Sequence, residues 1–138
     1  MRLFAVFAAA LALAGSGVAA DRGSLTVGHS AYGQVLFDGR GYALYAFTRD
    51  PKGKSVCTGA CAAAWPPLLA KSPRAATGAR ASLVGTTRRA DGSVQVTYAG
   101  RPLYYYVGDR KPGQILCQNA REFGGLWLVV RPSGALVR

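Results

Sequence analysis

Apolar and polar positions alternate in short bursts along this chain, and the bursts come in two matching sets. In the second half, Val94, Val96 and Tyr98 alternate with Gln95 and Thr97, the period of a half-buried strand. Asp91-Gly92 just before them suits a hairpin turn, which pairs Leu83 to Arg89 with Ser93 to Tyr98. Ala99-Gly100-Arg101-Pro102 interrupts the pattern, and Leu103 to Val107 predicts a third strand. In the first half, Val35-Leu36-Phe37 leads to a turn at Asp38-Gly39-Arg40-Gly41, followed by a strand over Tyr42 to Phe47. Leu126 to Val130 reads as a further strong strand. Thr58 to Ala64 predicts one short helical turn, stopped at Trp65 by Pro66-Pro67.

The two sets are copies. LYAFTRD, Leu44 to Asp50, returns fifty-nine residues later as LYYYVGD, Leu103 to Asp109. Extending the match places Ser24-Leu25 opposite Ser82-Leu83, Gly33 opposite Gly92, Gly39 opposite Gly100 and Gly53 opposite Gly113. Cys57 faces Cys117 and Trp65 faces Trp127, whereas Cys61 faces Arg121. An ordered series of this length marks a duplication. The expected fold is mainly β: two tandem β-meander repeats of about three to four strands each, with at most one or two short helical turns. One repeat alone leaves a hydrophobic sheet face open, so the pair is expected to pack as a single domain about an approximate two-fold. Its parts are a repeat over 24–69, a surface linker over 70–81 and a repeat over 82–138.

On a strand, Tyr45 and Phe47 share one face, as do Tyr104 and Tyr106, with Leu44, Ala46, Leu103 and Tyr105 on the other. Alternating aromatics most often form a core face, and Tyr105 is the ring expected to stay exposed. Asp50 and Asp109 fall just past these strands, where a carboxylate accepts backbone N–H bonds and closes a turn. No Asp, Glu or His adjoins either one, which argues against acid/base catalysis. Trp65 reads as a buried anchor of the crossover. Its alternative role is in an interaction surface with Tyr105, Arg110 and Lys111.

Charge and cysteines narrow the setting. Arg2 followed by the apolar run Leu3 to Ala14, with Val18-Ala19-Ala20 behind it, predicts an export signal over residues 1–20. Without Arg2, sixteen basic and six acidic side chains remain, a net charge of +10. They are dispersed, which favours loose attraction to polyanions over a shaped recognition site. Outside the cytoplasm those are anionic envelope polymers or another exported protein rather than nucleic acid, and no cysteine follows the apolar run to accept a lipid. Cys57, Cys61 and Cys117 would sit where disulfides form. Cys57 and Cys61 lie within bridging range on a helical turn, and a longer loop to Cys117 is equally open. One histidine and three thiols fall short of a structural zinc set, and no cofactor motif is present. With no Ser/His/Asp set, no enzyme is expected either.

LYAFTRD and LYYYVGD, joined to CTGACAAAWPPL and FGGLWLVVRPSG, resemble the bacterial "secreted repeat of unknown function" family. Its members are often described as lipoproteins with a Y-x-[FWY]-x-x-D motif, and the likeness spans residues 24 to 134. The motif residues carry over as Tyr45, Phe47 and Asp50, then Tyr104, Tyr106 and Asp109. The resemblance implies export but no activity. Two expectations follow: a non-enzymatic binding module of the cell envelope or, as the alternative, an extracytoplasmic redox or electron-transfer accessory using the cysteines.

Overall fold

The computed structural model describes residues 21–138, so the expected export signal lies outside the described residues. The chain opens with a hairpin of β1 (Ser24–Ser30) and β2 (Gly33–Asp38), in register from Leu25 opposite Asp38 to Ser30 opposite Gly33. Then come β3 (Tyr45–Phe47), α1 (Ala60–Ala64) and β4 (Arg74–Ala75). The second half contributes β5 (Val84–Arg88), β6 (Val94–Tyr98), β7 (Arg101–Pro102), β8 (Ala120–Glu122) and β9 (Gly125–Val129). They form three small sheets, ordered β2-β1-β4, β3-β9-β8 and β5-β6-β7. The fold is mainly β, as the periodicity predicts, and α1 supplies the short helical turn ahead of Trp65. No helix among the described residues is long and apolar enough to cross a membrane.

The predicted hairpin is present as β5 and β6, with Gly92 at φ 86° in its turn, a conformation that glycine adopts freely. β6 is not half-buried, however. Gln95 is fully buried and Thr97 nearly so, because the strand is covered on both faces. Gln95 is tolerated there because its amide donates to the Leu103 carbonyl (2.8 Å) and accepts from Arg89 (2.8 Å). The strand expected over Leu103 to Val107 shrinks to bridges at Tyr104, to Tyr45 and to Pro67. On that side Tyr105 N–H donates to Pro66 (2.8 Å) and Val107 N–H to Ala64 (3.1 Å), but Pro66 and Pro67 have no N–H to return, which leaves the ladder incomplete. Residues 70–81 do more than connect: β4 runs parallel to β1, and Ala76 N–H donates to Leu25 (2.8 Å).

The approximate two-fold is visible in the backbone. Tyr45 N–H donates to the Tyr104 carbonyl (2.8 Å) and Tyr104 N–H to the Tyr45 carbonyl (2.9 Å), so equivalent residues meet across the axis. Leu36 N–H donates to Val130 (2.9 Å), and in the other copy Val96 N–H donates to Leu68 (2.8 Å). β3 pairs with β9, Tyr45 opposite Val129, as Tyr104 pairs with Pro67. The end of each repeat is therefore threaded into the middle of the other. One alignment changes: Gly53 N–H donates to Gly100 (2.7 Å) and Gly113 N–H to Gly41 (2.9 Å), which equates Gly100 with Gly41 rather than Gly39.

Two core clusters lie on either side of this seam, and both draw on both repeats. One holds Tyr45, Phe47, Trp65, Tyr104 and Trp127; the other holds Leu36, Leu44, Leu68, Val96 and Leu103. Alternation along Leu44 to Phe47 sends neighbouring side chains into opposite clusters.

Candidate functional site

The repeated motif is joined crosswise. The Tyr45 hydroxyl donates to Asp109 Oδ2 (2.6 Å) and the Tyr104 hydroxyl to Asp50 Oδ2 (2.6 Å), so each tyrosine uses the aspartate of the other repeat. The second oxygen of each carboxylate closes its own loop, Asp50 accepting from Val56 N–H (2.8 Å) and Asp109 from Leu116 N–H (2.9 Å). Burial is the main cause that raises both carboxyls above their ordinary value, and these hydrogen bonds oppose it. Both phenols are pushed well above the usual range, first by burial and then by the facing carboxylate.

Around these pairs the aromatics form one column. Phe47 stacks on Trp127 (centroids 4.2 Å apart) and Trp127 on Trp65 (4.1 Å, rings within 6° of parallel), while Tyr106 meets Trp65 at a 35° tilt (4.8 Å). Tyr45 meets Trp65 edge-on and Tyr104 meets Trp127 likewise, both at 5.1 Å. Trp65 is fully buried, so it takes no part in an interaction surface. Tyr105 is also not the exposed ring: it is half-buried, and its hydroxyl donates to Asp38 Oδ2 (2.8 Å). Arg110 and Lys111 are exposed on the loop after Asp109, where their backbone N–H groups donate to Gln114.

Cys57 and Cys61 are bridged, and Cys117 is free and half-buried beside the Tyr106 hydroxyl. Arg121 at the place of Cys61 leaves the second copy without a local partner. Reductive attack needs a thiolate to reach a bridge sulfur, and Cys57 is fully buried while Cys61 is 7% exposed. Thiol titration of the native protein should therefore return one reactive group with or without mild reductant, and three only after unfolding in reductant. Three thiols in the folded, mildly reduced protein would refute this. Among the described residues no three His, Cys, Asp or Glu side chains converge on a possible metal position.

One cleft opens beside the motif. Phe47, Asp50, Lys52, Gly100, Arg101 and Pro102 surround about 310 Å³. The Arg101 side chain is steadied by its Nε–H, which donates to the Gly134 carbonyl (3.0 Å). Lys52 lays its stem over Gly100, where a Cβ would come within 2.6 Å of the lysine Cγ. Sequence reasoning did not single out Lys52 or Arg101, which are ordinary charged residues in turns until the fold brings those turns together.

No curated protein and no solved structure matches this chain. The model of a family described as secreted repeat of unknown function matches it twice, over residues 26–69 and again over 85–131. These two stretches are the halves that the backbone relates by its two-fold, and together they span more than half of the sequence. The chain belongs to this family of secreted repeats, which places it outside the cytoplasm.

Proposed function

We propose that the protein is a non-enzymatic binding module that associates with anionic polymers of the cell envelope, held there by charge rather than by a lipid. The observation that carries this reading is the inward use of its carboxylates. Asp38, Asp50, Asp109 and Glu122 accept hydrogen bonds from groups within the fold, and the exposed Asp91 accepts from Ser93 in its own turn. Arg40–Asp38 is the one ion pair among the described residues. Among the described residues no other basic side chain is in a salt bridge, so most of the positive charge faces outward as a field for long polyanions.

Sedimentation with purified cell walls tests it. Retention is expected in about 10 mM salt and release by about 1 M, where the screening length falls from roughly 30 Å to 3 Å. Absence of retention, or retention indifferent to salt, would count against the proposal. A second reading, an extracytoplasmic redox or electron-transfer accessory, draws on Cys117 lying free beside Tyr106 at one end of the aromatic column. It ranks lower because the bridge that would exchange with a partner thiol has one sulfur-bearing residue fully buried.

A further inference from the structure

The two-fold gives the motif loops of one repeat counterparts in the other, so a difference between them is informative. The cleft beside Asp50 is such a case. With Gly100 equated to Gly41, Arg101 corresponds to Tyr42, and Lys52, one residue before Gly53, corresponds to Pro112. In the counterpart, Tyr42 spans the gap and its hydroxyl donates to the Arg110 carbonyl (3.2 Å). Pro112 sits against Gly41, where a Cβ would come within 3.0 Å of the proline Cβ. Arg40 packs over the Tyr42 ring at 4.7 Å and pairs with the buried Asp38, fixing the latch. At the Asp50 site the latch is replaced by Arg101, which lines the cleft with its Nε–H held by the Gly134 carbonyl, and the space stays open.

The chemistry of the open site is two-sided. Arg101 commits only its Nε–H, and the Lys52 ammonium makes no hydrogen bond among the described residues, so donors with positive charge are available on one side. Asp50 offers the opposite charge. Each of its oxygens accepts one hydrogen bond from the protein and has a lone pair to spare. A lone anion would meet Asp50 unfavourably and a lone cation would meet Lys52 and Arg101. A ligand that places an ammonium beside an anionic group satisfies both.

We propose that the cleft of Asp50, Lys52 and Arg101 binds a compact amino-acid zwitterion, its carboxylate toward Lys52 and Arg101 and its ammonium toward Asp50. The cleft volume, about 310 Å³, is at the small end of ligand sites, which suits a single free amino acid with both charges intact. For so few atoms the dissociation constant should be on the order of 1 mM. The site is separate from the diffuse charge attraction proposed above and does not depend on it.

Titrating the isotope-labelled protein with L-alanine, and separately with acetate and ethylammonium, tests the inference by amide shifts. Saturable shifts at Gly100 and Arg101 are expected with alanine, and at least tenfold weaker responses with either single-charge probe. Arg101→Tyr installs the residue that closes the counterpart and should abolish alanine binding in a folded protein. Lys52→Ala changes an exposed side chain and should weaken binding about tenfold, keeping the test open if the tyrosine variant does not fold. Equal binding of acetate or ethylammonium, no saturation with alanine, or undiminished binding in both variants would overturn the proposal. Retention of Arg101→Tyr on cell walls should barely change, since it removes one basic charge of sixteen. A failed cleft and a failed polymer interaction therefore give different results.

Discussion

Asp109→Ala is expected to lower the stability of the fold by about 3–5 kcal/mol, roughly 10–20 °C in melting temperature. Two donors lose their acceptor at once: the hydroxyl of Tyr45, which is fully buried, and the Leu116 N–H. A buried donor without a partner costs about 1–3 kcal/mol, and bonds to a charged acceptor lie at the upper end of the scale. Tyr45→Phe should cost less, since it removes the donor along with the bond. The double variant should then lose less than the sum of the singles, because the orphaned hydroxyl is gone. Asp50→Ala is expected to be milder than Asp109→Ala. Tyr104 has Ser55 Oγ at 2.6 Å as a second partner, and Asp50 is less buried than Asp109. Thermal or denaturant unfolding of the four variants measures this, and equal losses at the two aspartates would contradict the asymmetry.

The second large effect is alkaline. Burial and the facing carboxylates hold the Tyr45 and Tyr104 phenols protonated in the fold well above their ordinary value of 10.0. The unfolded chain releases these protons near that ordinary value, so above it the folded state binds more protons and stability falls as pH rises. The contribution is complete below about pH 10 and declines by about 1.4 kcal/mol per pH unit for each phenol, or about 3 kcal/mol for the pair. Tyr105, whose phenol is raised by burial and by Asp38, adds in the same direction. Phenolate absorbance recorded beside circular dichroism between pH 9 and about 12 checks the sign. These phenols should ionise together with unfolding. Ionisation of all seven tyrosines near pH 10 in a protein that is still folded would show that the two tyrosines are not held as described.

Much of the architecture was legible because it rests on local signals. Alternation put Tyr45 and Phe47 on a core face, Asp91-Gly92 marked the hairpin, and Pro66-Pro67 ended the helical turn, whereas the second core behind Leu44 and Ala46 emerges only in the fold. The crosswise pairing was not legible, for a reason of symmetry. When both copies carry a tyrosine and an aspartate at the same spacing, Tyr45 with Asp50 and Tyr45 with Asp109 are indistinguishable in sequence. Only the threading of each repeat's end into the other decides. Gln95 misled because a polar residue at a period of two looks solvent-facing, while the groups that satisfy it, Arg89 and the Leu103 carbonyl, reach it only in the fold. The cleft was hidden by a single extra residue. The first turn is one residue longer ahead of its conserved-geometry glycine, so pairing Gly39 with Gly100 concealed the exchange of Tyr42 for Arg101.

The threading also sets an order of events. The first repeat lacks two of its own parts until the last tenth of the chain is present: the strand that covers β2 and β3 comes from Leu126 to Val130. The carboxylate that receives its tyrosine is Asp109, and that too arrives late. A chain delivered from its amino end through a membrane therefore has no half-length product that can close early. Neither half holds its own set of partners, so a half-length chain is not expected to fold cooperatively by itself, and circular dichroism of such a fragment through thermal unfolding checks this.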